Sequence, residues 1–186
     1  MVTVRKERPA EAATRDALLD LAYGPARFSK TSQRLREGRG SELALVAAES
    51  RRIVGTVQLW EVSAGADRRA LLLGPLAVAP DRRKRGIGST LVHHALREAA
   101  RRRYGAVLLV GDASYYSRFG FSSEKTNALR LPGPYERHRL LGCELTPGAL
   151  DGARGLISAR RPLEQRPDLA TLVAGLVGSH LAPYAA

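Results

Sequence analysis

Between residues 70 and 110 the hydrophobic period of the chain changes twice, and few architectures accept that order. ALLLGPLAVAP, residues 70 to 80, is an apolar strand-like run that stops at Pro80. From Ser89 to Arg103 the period becomes 3.6. Leu91, Val92, Ala95, Leu96, Ala99 and Ala100 share one side of a helix, with His93, His94, Arg97, Arg101 and Arg102 opposite. Gly105 ends that helix, and AVLLV, residues 106 to 110, is an uninterrupted apolar run suited to a central strand buried on both faces. Strand, helix and strand in this order predict a layered α/β fold.

The flanking sequence extends this core. VTVRKER, residues 2 to 8, alternates like a strand and is stopped by Pro9. Residues 10 to 23 put Ala13, Ala17, Leu18, Leu21 and Ala22 on one helical face before Gly24-Pro25. A short polar helix over Ser29 to Arg36 precedes ELALVAAE and IVGTVQLWEV, two β-branched runs whose separation by Ser50-Arg51-Arg52 predicts an antiparallel hairpin. Beyond residue 110 the pattern predicts a short helix over Ala113 to Phe119, a break at Gly120, and strands near 128–131 and 140–145. Residues 1–157 read as one domain and 158–186 as a C-terminal extension. The extension is Arg/Pro-rich up to Pro167 and then helical, with Leu169, Leu172, Val173 and Leu176 among its apolar residues. Gly175 and Gly178 weaken that helix, which implies packing on the domain or on a second copy and leaves a homodimer open.

Composition narrows the function classes. A chain of 186 residues, 44% apolar and 26% charged, has the length and balance of a globular protein with one sizeable core. Its longest uncharged apolar run, Leu169 to Gly178, is well short of the ~20 residues that span a membrane. The N-terminus carries no secretory-type apolar stretch and Cys143 is the single cysteine, so a cytoplasmic location is expected. Cys143 lies among apolar strand residues and reads as a buried, inert thiol. A net charge of +12 suits a polyanion, a phosphorylated cofactor or acidic substrates. With 26 Arg against 4 Lys and only 5% aromatic residues, a base-stacking nucleic-acid platform is disfavoured. The four histidines are scattered and no metal-ligand spacing occurs, so no metal is expected.

The cations concentrate at RRKRGIGS, residues 82 to 89, where four of them run into a Gly-x-Gly turn at the start of the helix. A helix N-terminus presents unpaired amides and the positive end of a dipole, and glycines let an anion approach the backbone. Two familiar phosphate motifs fail here. No Gly-Lys-Ser/Thr follows a four-residue gap, and the third glycine of a dinucleotide fingerprint is replaced by Leu91.

Arg83-Lys84-Arg85-Gly86-Ile87-Gly88, directly after LAVAP, matches an Arg/Gln-x-x-Gly-x-Gly/Ala pattern, and with it the sequence resembles the GNAT superfamily of N-acetyltransferases. Tyr116-Ser117-Arg118-Phe119-Gly120-Phe121 resembles that family's Tyr-x-x-x-Gly-Phe segment. VGDASYYSRFGF together with LTPGALDG is similar to the YhbS-type subgroup of predicted acetyltransferases. The resemblance covers about residues 2–150. It implies an α/β fold with a mixed, mostly antiparallel central sheet of six to seven strands, flanked by helices and splayed between strands 4 and 5.

The resemblance also implies roles. Acetyl-CoA is the cosubstrate. Its pantetheine arm inserts beside Leu76, Ala77 and Val78, bonding the backbone of Leu76 and Val78, with the Val78 N–H on the thioester oxygen. The amides of Lys84, Arg85, Gly86, Ile87, Gly88 and Ser89 take the pyrophosphate, and Arg83 closes the loop. Tyr116, with Tyr115 as its rival, is the general acid for the departing thiolate. The acceptor is a small-molecule or protein amine. Many family members carry a Glu on the fourth strand where this chain has Leu71-Leu72-Leu73-Gly74-Pro75, so the base stays open between a water relay through Glu61 or Asp112 and an amine that arrives deprotonated. A non-catalytic acyl-CoA sensor is the alternative that this absence permits.

Overall fold

The computed structural model describes residues 1–164, so the helix expected after Pro167 lies outside the described residues. Its central sheet runs in the order β1 (Val2–Lys6), β2 (Leu43–Glu49), β3 (Arg52–Ala64), β4 (Arg69–Val78), β5 (Ala106–Val110) and β7 (Leu140–Glu144). A further strand, β8 (Gly155–Ala159), pairs with the last residues of β3, Val62 to Ala64, and carries the two-residue β6 (Leu129–Arg130) on its other side. The pairs β4–β5 and β6–β8 are parallel and the remainder antiparallel.

This is the mixed, mostly antiparallel sheet expected, with eight strands instead of six or seven. The additional strand, GLISA, has too little apolar alternation to be read from sequence, since Leu156 is 54% exposed and only Ile157 is fully buried. Pairing to the overhanging end of β3 creates it, and it spans the position where the sequence reading divides the chain.

Alternation along the inner strands explains why both faces of the sheet are covered. Leu71 and Leu73 of β4 and Val107 and Leu109 of β5 point into one core with α1 (Ala12–Tyr23) and α2 (Ile87–Arg101). Ala70, Leu72, Ala106 and Leu108 point into a second core closed by Leu35, Leu129, Leu140 and Ile157. Each fully buried leucine contributes about 2 kcal/mol of transfer free energy, so AVLLV belongs to the sheet interior.

The two long helices are positioned by packing. α2 lies on β3 where Gly55 leaves room, since a Cβ there would come within 2.9 Å of Leu91 Cδ1 and 3.1 Å of Ile87 Cγ2. The helix starts two residues earlier than its apolar stripe suggested because Ile87 is itself buried, whereas Ala100 is exposed. In α1 the buried residues are Leu18 and Leu19, and Leu21 is 66% exposed. The inward face is therefore rotated from the expected one. A stripe made largely of alanines carries little preference, and contact with β3 and β4 decides.

The sheet opens between β4 and β5. These strands pair only at Leu71 with Val107 and Leu72 with Leu108. One residue further along β4, Val57 of β3 faces Leu76 while Leu59 faces Leu73, so three steps of β4 match two of β3. This is a bulge at Gly74-Pro75, and beyond it β4 has no partner on the β5 side. The Trp60 indole donates to the Gly74 carbonyl at 2.7 Å and satisfies the bulge.

Candidate active site

Backbone direction past the bulge decides what the open edge offers. The Ala79 N–H donates to Val54 O, so the alternating hydrogen-bond pattern turns Ala77 and Ala79 toward β3 and turns the amides of Leu76 and Val78 toward the gap. Ala77, grouped with them in the sequence reading, faces the other way. The Leu76 carbonyl on that edge accepts a hydrogen bond from the hydroxyl of Tyr23, the last residue of α1.

At the far end of β4 lies the glycine turn. Lys84 (φ 61°) and Gly86 (φ 75°) adopt left-handed backbone, and Gly86 is the N-cap of α2 with no side chain capping the helix. The first intrahelical bond runs from Thr90 N–H to Gly86 O at 2.9 Å, which leaves the amides of Ile87, Gly88 and Ser89 without helical acceptors. A cavity of about 330 Å³ opens in front of them, lined by Val78, Arg83, Lys84, Gly86, Gly88, Ser89 and others. Arg85 is not part of its wall. Arg82, counted above among four cations for phosphate, is held by Glu49 at 2.8 Å and Asp81 at 2.9 Å. Arg83, Lys84 and Arg85 form no ion pair among the described residues.

Tyr115 and Tyr116 lie on α3 (Ala113–Tyr116), whose N-cap Asp112 accepts from Ser114 N–H at 2.9 Å. Their rings meet edge-on with centroids 4.9 Å apart and serve different ends of the gap. The Tyr115 hydroxyl stands 3.0 Å from where a Gly88 Cβ would be, on the wall of the cavity before the turn, with the Arg118 guanidinium over its ring. Tyr116 packs on Phe121 at 5.8 Å and over Gly111, where a Cβ would collide with its ring at 2.4 Å. It lines a second cavity together with Gly74, Leu76 and Val110. Burial, reinforced by the neighbouring Tyr23 and Tyr115 phenols, pushes the Tyr116 hydroxyl well above the ordinary tyrosine range.

That second cavity, about 300 Å³, continues from the open edge of β4 to the 3-10 turn of Thr31–Leu35 and the loop before β7. Its walls bring together Tyr23, Lys30, Arg36 and Arg139, none of which the sequence reading singled out. They come from segments over a hundred residues apart with no shared motif. The one local sign was Tyr23 at the helix end before Gly24-Pro25.

Neither acid named above as a water-relayed base lines this cavity. Glu61 is bound to Arg69 at 2.6 Å and lies 3.5 Å from Arg160, and Asp112 serves as a helix cap. The carboxylate on the wall is Glu136, an exposed group 3.6 Å from Arg139. Cys143 is buried against the Phe119 carbonyl, and burial raises its thiol pKa. Among the described residues no group of three His, Cys, Asp or Glu is arranged to hold a metal, and no helix is long and apolar enough to cross a membrane.

Comparison with known proteins adds identity to this geometry. The profile of the acetyltransferase (GNAT) domain family matches residues 40–123. The YhbS protein of Escherichia coli K12, named an uncharacterized N-acetyltransferase, is 32% identical over 156 residues, covering 83% of this chain and 93% of that protein. The crystal structure of E. coli YhbS in complex with CoA matches with a TM-score of 0.74 at 31% identity, covering 89% of this chain and 96% of that one. A GNAT family acetyltransferase from Brucella melitensis in complex with acetyl-CoA matches at 27% identity with a TM-score of 0.63, over 86% and 96% of the two chains.

Proposed function

The chain belongs to the GNAT family of N-acetyltransferases, and from that premise we propose that it moves the acetyl group of acetyl-CoA to a primary amine by direct attack, with Tyr116 as general acid. One observation carries this reading. The unpaired edge of β4 joins two cavities, contributing Val78 to the one before the glycine turn and Leu76 to the one that Tyr116 lines. The donor follows from similarity to proteins crystallised with CoA and acetyl-CoA.

The residues present suit such a donor. Gly86 supplies the left-handed backbone of the turn, and Gly88 keeps the cavity before α2 clear, because a Cβ there would meet the Tyr115 hydroxyl at 3.0 Å. The amides of Ile87, Gly88 and Ser89 and the unpaired Arg83 and Lys84 are our candidates for the pyrophosphate. Leu76 and Val78 offer backbone groups to an extended arm, and the Val78 N–H is the donor assigned to the thioester oxygen as negative charge develops there. Acetyl-CoA supplies the activated acyl group and a thiolate leaving group. Tyr116 holds the proton which that thiolate needs, and its raised pKa keeps the phenol protonated at neutral pH. The amine attacks as the free base, with no side chain assigned to deprotonate it.

The decisive experiment measures thiol release from acetyl-CoA with a panel of amines, alongside the melting temperature with and without acetyl-CoA. Amine-dependent release and a rise in melting temperature are expected. A rise without turnover for any amine would instead support an acyl-CoA sensor.

A further inference from the structure

On the acceptor side of the opening the protein holds a positive charge without a counter-ion. Arg36 leaves the 3-10 turn of Thr31–Leu35 and lines the cavity shared with Tyr116. Its Nη2 donates to the buried Ser32 Oγ at 2.7 Å, while its Nε is buried with no hydrogen-bond partner. It forms no ion pair among the described residues. Burial lowers its pKa to about 10, yet the guanidinium stays charged at neutral pH.

The neighbouring charges do not relieve it. Arg27 is already paired with Asp20 at 2.7 Å. Arg139 has a second buried Nε without a partner, and its guanidinium reaches the exposed Glu136 only at 3.6 Å. Lys30 stacks over the Tyr23 ring at 4.4 Å, and burial followed by repulsion from Arg36 and Arg139 lowers its pKa. A partly buried cation that no acid pairs destabilises a fold, and a side chain kept there calls for an anion from outside.

We propose that the acetyl acceptor is a small amine carrying its own carboxylate, and that Arg36, with Arg139 beside it, binds that carboxylate. The inference rests on the acetyltransferase reading above and narrows its substrate class. A guanidinium offers a planar fork that matches a carboxylate in two parallel hydrogen bonds, and the low local dielectric strengthens them. Geometry sets the rest of the molecule. The Arg36 Nη2 lies 3.5 Å from the position of a Cβ on Gly74, at the bulge where the open edge of β4 begins. A carboxylate held there leaves the amine end directed along Gly74 to Leu76, the edge that Tyr116 also borders. At about 300 Å³ the cavity is at the small end of ligand sites and suits a molecule of amino-acid size.

The test compares α-, β- and γ-amino acids, each against its primary amide and its phosphonate analogue, at equal concentrations of free amine. The first readout is the melting temperature of the protein saturated with acetyl-CoA or with CoA. At least one acid is expected to raise it while the matching amide does not, and the kcat/KM of that acid is expected to exceed that of its amide by ~10-fold or more. Arg36→Met should reduce this ratio to about 1, with Arg36→Lys in between, since the ammonium keeps charge without the fork. Because Arg36→Met removes a partly buried charge that no acid pairs, it is expected to fold and melt no lower than the parent. Equal shifts from acids and amides, no shift from either, or a phosphonate preferred over every acid overturns the inference. Failure of acetyl-CoA itself to bind overturns the donor assignment instead, and the acid-against-amide shift of the protein alone still reports on Arg36.

Discussion

The Tyr23 hydroxyl donates to the Leu76 carbonyl across the open edge of β4, which ties the end of α1 to the strand where the sheet divides. That carbonyl is one of the groups we assign to the donor's extended arm. Tyr23 and the arm therefore compete for it. Tyr23→Phe is expected to tighten acetyl-CoA binding by up to ~5-fold, the equivalent of about 1 kcal/mol for one net hydrogen bond, as measured by calorimetry. Weaker binding in the variant would show that Tyr23 helps to hold the arm.

The two adjacent tyrosines should separate kinetically. Tyr116→Phe is expected to lower kcat by ~100-fold or more with a change of less than ~3-fold in the KM for acetyl-CoA, because a general acid acts in the transition state. Tyr115→Phe, at the glycine turn, should act mainly on that KM. Since burial raises the Tyr116 pKa, its phenol stays protonated beyond the ordinary tyrosine value of ~10, and kcat should show no alkaline loss below that pH. A fall in kcat between pH 8 and 9 that disappears in Tyr116→Phe would contradict this assignment.

Gly88 tests the turn. In Gly88→Ala the new methyl meets the Tyr115 hydroxyl at 3.0 Å and Val78 Cγ2 at 3.7 Å, within the cavity assigned to the pyrophosphate. The obstruction faces the cavity and not the core. The KM for acetyl-CoA should rise ~10-fold or more while the urea midpoint stays within about 0.5 kcal/mol of the parent. A variant that loses stability without losing donor affinity would place the pyrophosphate elsewhere.

Acid stability should be set partly at the join of β1 and α1. Both Glu11 carboxylate oxygens accept from Arg5, at 2.6 and 2.8 Å, and one also accepts from Arg8 N–H at 2.9 Å. The Arg5 hydrogen bonds hold the Glu11 pKa down at about 2. A carboxyl with a depressed folded-state pKa adds stability that is complete above its unfolded value of ~4.3 and is lost as pH falls toward 2. The difference in urea midpoint between the parent and Glu11→Gln should therefore be constant from pH 6 to 8 and vanish near pH 2. A difference independent of pH would mean that the carboxylate charge is not involved.

Local pattern carried most of the architecture. The change to a helical period, the apolar run 106–110 and the hairpin turn after Glu49 each act within a few residues, and the structure has each within two residues of where the pattern puts it. The glycine turn was legible for the same reason, since a left-handed backbone and a free helix N-terminus are properties of a short segment. The inward face of α1 was not, because alanines bury little area and leave the choice to the sheet beneath. β8 was not, because a five-residue strand with one buried apolar residue exists only by pairing with β3.

The acceptor cavity marks the boundary most clearly. By itself the chain's order of residues determined a layered sheet, a basic glycine turn at a helix start and a tyrosine pair beyond the fifth strand. Only the tertiary structure decided that Tyr115 serves the turn and Tyr116 the second cavity, and that Arg36 and Arg139 share a wall without an adequate counter-ion. Period and turn chemistry act over one or two turns of chain and leave a record in sequence spacing. Desolvation of a charge depends on segments a hundred residues apart closing around it, and no spacing encodes that.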